Sequence, residues 1–250
     1  MIKTHDSSIA APPQVVIRDQ SHPDGFRSPG WFGQHSLMGL ILVLLGSGLF
    51  SMLAINLQTQ GPLLQIDNQI VNNVHQAALH SAPFIIGLMI FGFYLGEHVI
   101  VAIGALLVVY FLFKRFWLEL GMVLVAWGGE GGIWLLLSQF FNRPRPTFDV
   151  SVWRQMTSPG FPSGHSFSAV LCFGFLAYLL LPKIPSLSGR LMVIAAAVLI
   201  ILFIGFSRIF VGDHYPTDVL AGYGLGVAWG SLVYTALEII AKRYRHTTRV

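Results

Sequence analysis

Three short segments of this 250-residue chain gather residues whose types and spacing suit the chemistry of a phosphate group. They are Arg143-Pro144-Arg145-Pro146, then Pro162-Ser163-Gly164-His165, then Ser207-Arg208 followed by His214 and Asp218. Guanidinium forks match phosphate oxygens in pairs, and a hydroxyl and backbone N–H groups add further donors. Ser163 and Gly164 stand where an apolar run begins. A helix starting there presents free N–H groups and the positive end of its dipole to an anion, and Gly lets the backbone approach closely. His214 and Asp218 are four apart, so both project from one face if a helix has begun there. An Asp in that place can hold the imidazole Nδ1–H and leave Nε2 unprotonated. That is the arrangement in which a histidine attacks phosphorus and the resulting cationic phosphohistidine is stabilised by the carboxylate. His165, from another segment, is suited to protonate the leaving oxygen, a contribution of typically ~10²–10⁴-fold.

The elements that must hold these residues are hydrophobic. The chain is 54% apolar and 10% charged with a mean hydropathy of +0.67, which argues against an ordinary soluble enzyme and for one integral membrane domain. The single cysteine, Cys172, excludes an internal disulfide and a cysteine-based metal cage. Residues 1–35 are polar, contain Pro12, Pro13, Pro23 and Pro29 and show no apolar period, so they read as a flexible tail; the first apolar run starts only at Leu37, which does not suit a signal peptide. Runs long enough to span follow at 37–55, about 96–114, 116–141, 166–181, 191–206 and 219–241, giving six spans. Pro83 to Leu95 is apolar but too short to span alone. Between spans 1 and 2, Leu63, Ile66, Ile70 and Val74 recur at helical spacing among Gln, Asn and His, the pattern of an amphipathic helix lying on the surface. The expected organisation is a 1–35 cytoplasmic tail, a 36–241 six-span domain and a 242–250 basic cytoplasmic tail.

Lys and Arg are retained on the cytoplasmic side, so their partition sets the orientation. With the amino terminus inside, 11 of the 15 basic residues are cytoplasmic. The four on the other side are Arg143, Arg145, Arg154 and Arg208, in loops dense in Pro, Ser, Gly, His and Asp. Taken singly, Ser163 could be only a helix N-cap, Asp218 only a first-turn acid after Pro216, and Arg143 only a solvated loop charge. Taken together, on the face that should lack basic residues, they read as one phosphate site. Glu130, flanked by Gly128, Gly129, Gly131 and Gly132, lies inside the third span, where an ionisable group either has a function or bonds to a neighbouring helix.

These residues resemble the three-part signature of the type 2 phosphatidic acid phosphatase superfamily: Lys, six residues, Arg-Pro; then Pro-Ser-Gly-His; then Ser-Arg, five residues, His, three residues, Asp. The second and third parts match in full at Pro162 to His165 and at Ser207, Arg208, His214 and Asp218. The first matches at Arg145-Pro146 only, with Ser138 where the pattern has Lys, a departure that removes one phosphate-neutralising charge unless Arg143, Arg154 or His98 replaces it. The resemblance implies that Arg145, Ser163, Gly164 and Arg208 bind phosphate, that His165 is the general acid, His214 the nucleophile and Asp218 its orienting partner, and that neither metal nor other cofactor is needed. The expectation is an all-α six-span membrane bundle that hydrolyses a phosphate monoester or diphosphate on a lipid at the non-cytoplasmic face of a bacterial inner membrane. Phosphatidic acid, phosphatidylglycerol phosphate and undecaprenyl diphosphate all fit, and nucleic acid is not an expected partner. A lipid-to-lipid phosphotransferase shares every residue, and a non-catalytic lipid-phosphate binder is favoured only by the missing Lys.

Overall fold

The computed structural model describes residues 35–148 and 156–247. They form α1 (Ser36–Gln58), α2 (Leu63–Leu79), α3 (Pro83–Tyr94), a π turn (Leu95–Val99), α4 (Ile100–Lys114), α5 (Trp117–Phe141), α6 (Gly164–Leu180) with a closing 3₁₀ turn (Leu181–Lys183), α7 (Leu187–Phe210) and α8 (Pro216–Thr247). Among the described residues, six helical stretches are long and apolar enough to cross a membrane: α1, α3 through α4, α5, α6 with its closing turn, α7, and α8 as far as Arg243. The amino-terminal tail and the 149–155 segment carrying Arg154 fall outside the described residues. The last helix continues past residue 241 to Thr247.

The second span differs from the sequence reading, which began it at residue 96. It is one stretch of 32 residues from Pro83 to Lys114. The π turn keeps the chain helical through Gly96, Glu97 and His98, with the Ile100 N–H donating to the Leu95 carbonyl, so the short apolar run before it joins the span instead of standing apart. At ~1.5 Å per residue such a helix reaches ~48 Å and outruns a ~30 Å hydrocarbon core.

The helix between the first two spans forms as its period indicates, but a different face is buried. Ile66 and Ile70 are exposed, while Asp67, Val71, His75 and Ala78 turn inward. Val71 packs with Ile209 and Val219, Ala78 with Phe93, Phe210 and Val211, and His75, expected on the surface, stacks on Phe148 with ring centroids 3.7 Å apart. The helix therefore docks onto one end of the bundle, over the α7–α8 turn.

Lipid offers no hydrophobic drive between spans, so they associate through close backbone approach and interhelical hydrogen bonds. Leu44, Leu106, Leu136 and Leu199 are left exposed on the perimeter, whereas Phe111, Met122, Phe167, Phe175 and Ile204 are buried. Trp229 Nε1 on α8 donates to the Ala126 carbonyl of α5 at 2.9 Å, Tyr178 bonds Glu238, and Ser168 on α6 bonds Glu130 on α5. Glu130 is thus a bridge between two spans. Gly222 on α8 faces the start of α6: a Cβ there would press on the Ser163 carbonyl and come within 2.8 Å of Ser166 Cβ.

Two stability measurements follow from this packing. Gly222→Ala should lower stability by ~1–3 kcal/mol, the usual cost of overpacking, seen as a lower unfolding midpoint in detergent, and should disturb the Ser163 turn that it pushes. Glu130→Ala strands the Ser168 hydroxyl in the bundle and should cost ~1–3 kcal/mol, while Glu130→Gln keeps a partner for it and should cost less. Equal losses for the Ala and Gln variants would remove this bond as the reason for Glu130.

Candidate active site

Three connections meet at one end of the bundle: the α5–α6 loop, the start of α6, and the α7–α8 turn, with α2 and α3 beside them. Ser163 caps α6, its Oγ accepting from the N–H of Ser166 at 3.4 Å, and its own N–H donates to the Asp218 carbonyl at 3.0 Å. Trp134 Nε1 on α5 donates to the Pro162 carbonyl at 3.2 Å and braces the same turn. His165 follows on the first turn of α6, its ring centroid 6.2 Å from that of His214.

The α7–α8 turn is folded back on Arg208, whose carbonyl accepts from the N–H groups of Asp213 at 2.8 Å and His214 at 3.3 Å. That puts the side chains of Arg208, Asp213 and His214 in one place. Arg208 is fully buried, with its guanidinium 3.7 Å from the Phe93 ring centroid and Nη2 donating to the Phe93 carbonyl at 2.6 Å. A Cβ at Gly96 would lie 3.1 Å from Arg208 Nη2, so the glycine of the π turn makes room for the guanidinium. Arg208 Nε and Nη1 and Asp213 Oδ2 are buried without a hydrogen-bond partner, Nη1 lying 3.6 Å from that oxygen.

Arg145 enters from the α5–α6 loop. Its Nε donates to the Ser158 carbonyl at 2.8 Å, its Nη2 to Ser158 Oγ at 3.1 Å, and its Nη1 to Asp213 Oδ1 at 2.5 Å and to the Asp213 carbonyl at 2.9 Å. The same Nη1 lies 3.2 Å from His214 Nε2. On the other side of the ring, His214 Nδ1 lies 2.8 Å from the Gly160 carbonyl. A carbonyl can only accept and a guanidinium can only donate, so the proton belongs on Nδ1 and the lone pair on Nε2. The sequence reading gave the Nδ1 contact to Asp218. The backbone of Gly160 makes that hydrogen bond, with Asp218 Oδ2 further off at 3.7 Å.

Arg143 sits beside this pocket. Its Nη1 donates to Asp218 Oδ1 at 2.6 Å and Thr217 Oγ1 at 2.8 Å, its Nη2 to Asp67 Oδ2 at 2.8 Å, and its guanidinium covers the Tyr215 ring at 4.2 Å. Ser138 is buried on α5, its hydroxyl donating to the Leu135 carbonyl of its own helix at 3.1 Å. Glu130 stays between α5 and α6, and Arg154 is outside the described residues. His98 is exposed and lies against Tyr94 with ring centroids 5.4 Å apart.

Sequence reasoning missed Asp213, Asp67 and the Gly160 carbonyl. Asp213 precedes the histidine, and Asp67 is an acid on the helix face that carries Val71, His75 and Ala78; both were visible signals. A backbone acceptor leaves none. His165, Asp213 and His214 bring ligand atoms within 4.8 Å of one another, a spacing that a cation could use. Two guanidiniums already face the same carboxylate, however, and their charge works against a metal there.

Comparison with known proteins identifies the family. The family described as "PAP2 superfamily" matches residues 119–240, a stretch that holds all three segments. Phosphatidylglycerophosphatase B of Bacillus subtilis is 37% identical over 147 residues, covering 58% of this chain and 69% of that protein. A lipid A 1-phosphatase of Rhizobium johnstonii is 42% identical over 73 residues, 29% of this chain and 25% of that one. The crystal structure of a transmembrane PAP2-type phosphatidylglycerolphosphate phosphatase from Bacillus subtilis superposes with a TM-score of 0.62 at 28% identity, over 80% of this chain and 97% of the other. With these relatives, and with the matching stretch folded as a bundle of apolar helices, the chain belongs to the PAP2 superfamily.

Proposed function

We propose that this protein removes a phosphate group from a membrane lipid, with His214 as the nucleophile. The observation that carries the reading is Arg208: a fully buried guanidinium with Nε and Nη1 unmet, whose Nη1 lies 3.6 Å from the same Asp213 oxygen that stands 3.8 Å from His214 Nε2, the nitrogen bearing the lone pair. Buried donors left without a partner cost free energy, and an arriving phosphate would satisfy them. In this reading Arg145 and Arg208 hold two phosphate oxygens, and the N-terminus of α6 at Ser163 and Gly164 holds a third.

The reaction takes two steps. His214 Nε2 attacks phosphorus in line, the bond from phosphorus to the lipid oxygen breaks, and His165 gives that oxygen a proton. Water then attacks the phosphohistidine, His165 takes the proton from water, the P–N bond breaks with its electron pair returning to Nε2, and inorganic phosphate leaves. The Gly160 carbonyl and the Asp218 carboxylate both favour the imidazolium that exists between the steps, and the arginines favour the charge on the phosphoryl oxygens.

Arg143 is read as support for Asp218, since its fork is taken by Asp67, Thr217 and Asp218. Ser138, whose hydroxyl turns onto its own helix, does not replace the Lys of the family pattern. The site's seat in the bundle favours an amphiphile whose tail remains in hydrocarbon. Phosphatidylglycerol phosphate is the first substrate to try, because the relative with the longest match here is named for that lipid. The proposed setting is a bacterial inner membrane, with the site on the non-cytoplasmic face and both termini inside, from the partition of Lys and Arg.

His214→Ala should lower phosphate release by ~10³-fold or more while the bundle remains folded. With substrate labelled in the phosphate, wild type quenched in alkaline detergent should carry base-stable, acid-labile label, and label persisting in the variant would sink the assignment. Release measured across phosphatidylglycerol phosphate, phosphatidic acid, undecaprenyl diphosphate and a sugar phosphate should favour a lipid and be insensitive to EDTA. For orientation, a cysteine at Thr157 in a Cys172→Ala background should react with an impermeant thiol reagent in intact cells and one at Ser188 should not. The reverse pattern would invert the topology.

A further inference from the structure

We propose that Asp67, on the helix between the first two spans, is a positioning residue for phosphoryl transfer that acts on His214 through Arg143 and Asp218. The proposal rests on His214 being the nucleophile. Asp67 is the single acid of α2 and is 1% exposed. Both of its oxygens are used. Oδ1 accepts from the Thr217 N–H at 3.0 Å, while Oδ2 accepts from Arg143 Nη2 at 2.8 Å and from the Thr217 hydroxyl. Arg143 Nη1 then donates to Asp218 Oδ1 at 2.6 Å, and Asp218 Oδ2 takes the Tyr215 N–H at 2.9 Å and lies 3.7 Å from His214 Nδ1. A line of alternating charge, Asp67, Arg143, Asp218, thus runs from α2 to the imidazole.

The geometry gives Asp67 a specific task. A guanidinium and a carboxylate left to themselves pair in a fork, two parallel N–H bonds to two oxygens. Asp67 occupies Nη2, so Arg143 reaches Asp218 through Nη1 and one oxygen only, and the second oxygen stays toward His214. Without the Asp67 charge, Arg143 is free to take both oxygens of Asp218 and draw Oδ2 away from the ring. The imidazolium of the phosphohistidine then loses its carboxylate. Arg145 and Arg208, which hold phosphate in this reading, make no hydrogen bond to Asp67 among the described residues. Loss of Asp67 should therefore slow the chemical step and leave substrate binding nearly intact.

A purely structural role is the competing account, since Oδ1 also takes a free N–H at the start of α8 and ties α2 to it. Asp67→Asn separates the two accounts. Its carbonyl oxygen can keep the Thr217 N–H, but its amide offers Arg143 neither the charge nor the second acceptor. The assay is phosphate release from dioctanoyl phosphatidic acid in mixed micelles by the full-length protein. Asp67→Asn should lower kcat by ~10-fold or more with KM changed by less than ~3-fold, and with the unfolding midpoint near wild type. Because the effect runs through Arg143, Asp67→Asn added to Arg143→Ala should lower kcat little below Arg143→Ala alone. Wild-type kcat in Asp67→Asn, losses that multiply in the double variant, or a change confined to KM would each overturn the proposal. If Asp67→Asn does not accumulate in membranes, Arg143→Gln reads the same link from its other end, and unchanged kcat there overturns it equally. A dead His214→Ala beside an unaffected Asp67→Asn would defeat this proposal alone, whereas an active His214→Ala would defeat the reading beneath it.

Discussion

A guanidinium that is buried must have an anion beside it, and the architecture of this end of the bundle answers to that requirement. Arg143, Arg145 and Arg208 are each under a tenth exposed, and Asp67, Asp213 and Asp218 are the carboxylates set against them. Removing one member of such a group leaves a stranded charge, so the network is costly to break even where its formation contributes little net stability. The six residues come from α2, the α5–α6 loop, the end of α7, the α7–α8 turn and the start of α8. Their pairing therefore fixes how those five parts of the chain meet, and it explains why α2 turns an acid inward and leaves Ile66 and Ile70 outside.

The three arginines are not equivalent. Arg143 gives three N–H groups to Asp67, Thr217 and Asp218, side chains of the protein itself, and it serves the protein's own geometry. Arg145 spends most of its donors on the backbone around Ser158 and on Asp213, which holds it in place beside His214. Arg208 keeps two donors unmet. An electrostatic site preset in this way needs no reorganisation as charge develops on the phosphoryl group.

Much of this was legible in the sequence because the chemistry sits in short, local motifs. Pro162 to His165 opens α6, and Ser207 to Asp218 runs from the end of α7 through a short turn into α8, so spacing carries much of their geometry. The six spans followed from runs of apolar residues, as hydropathy needs no tertiary information. The failures were non-local. Nothing near Glu97 signals that a π turn carries the helix through and joins residues 83–95 to the second span. The inward face of α2 is set by Arg143, far along the chain, and the apolar stripe of Leu63, Ile66, Ile70 and Val74 pointed to a neighbouring face. The acceptor at His214 Nδ1 is a backbone carbonyl, which no residue type reports.

The depth of the site bears on what it can accept. Phe93 and the π turn lie in the interior of the 32-residue second span, and they touch Arg208 directly through the Phe93 ring and carbonyl and the space left at Gly96. Helical stretch continues beyond that level to Pro83, and α2 packs against it through Ala78 and Phe93. The Arg208 guanidinium is therefore sunk below the end of a span, with α2 packed beside it. A headgroup tethered to a tail can come to such a place from within the bilayer, its chain remaining in hydrocarbon while the phosphate meets Arg208. A free, fully hydrated phosphate ester would have to shed its water to reach the same depth without any apolar surface to offset that cost. The arrangement that buries the arginines is thus also one that favours an amphiphilic substrate.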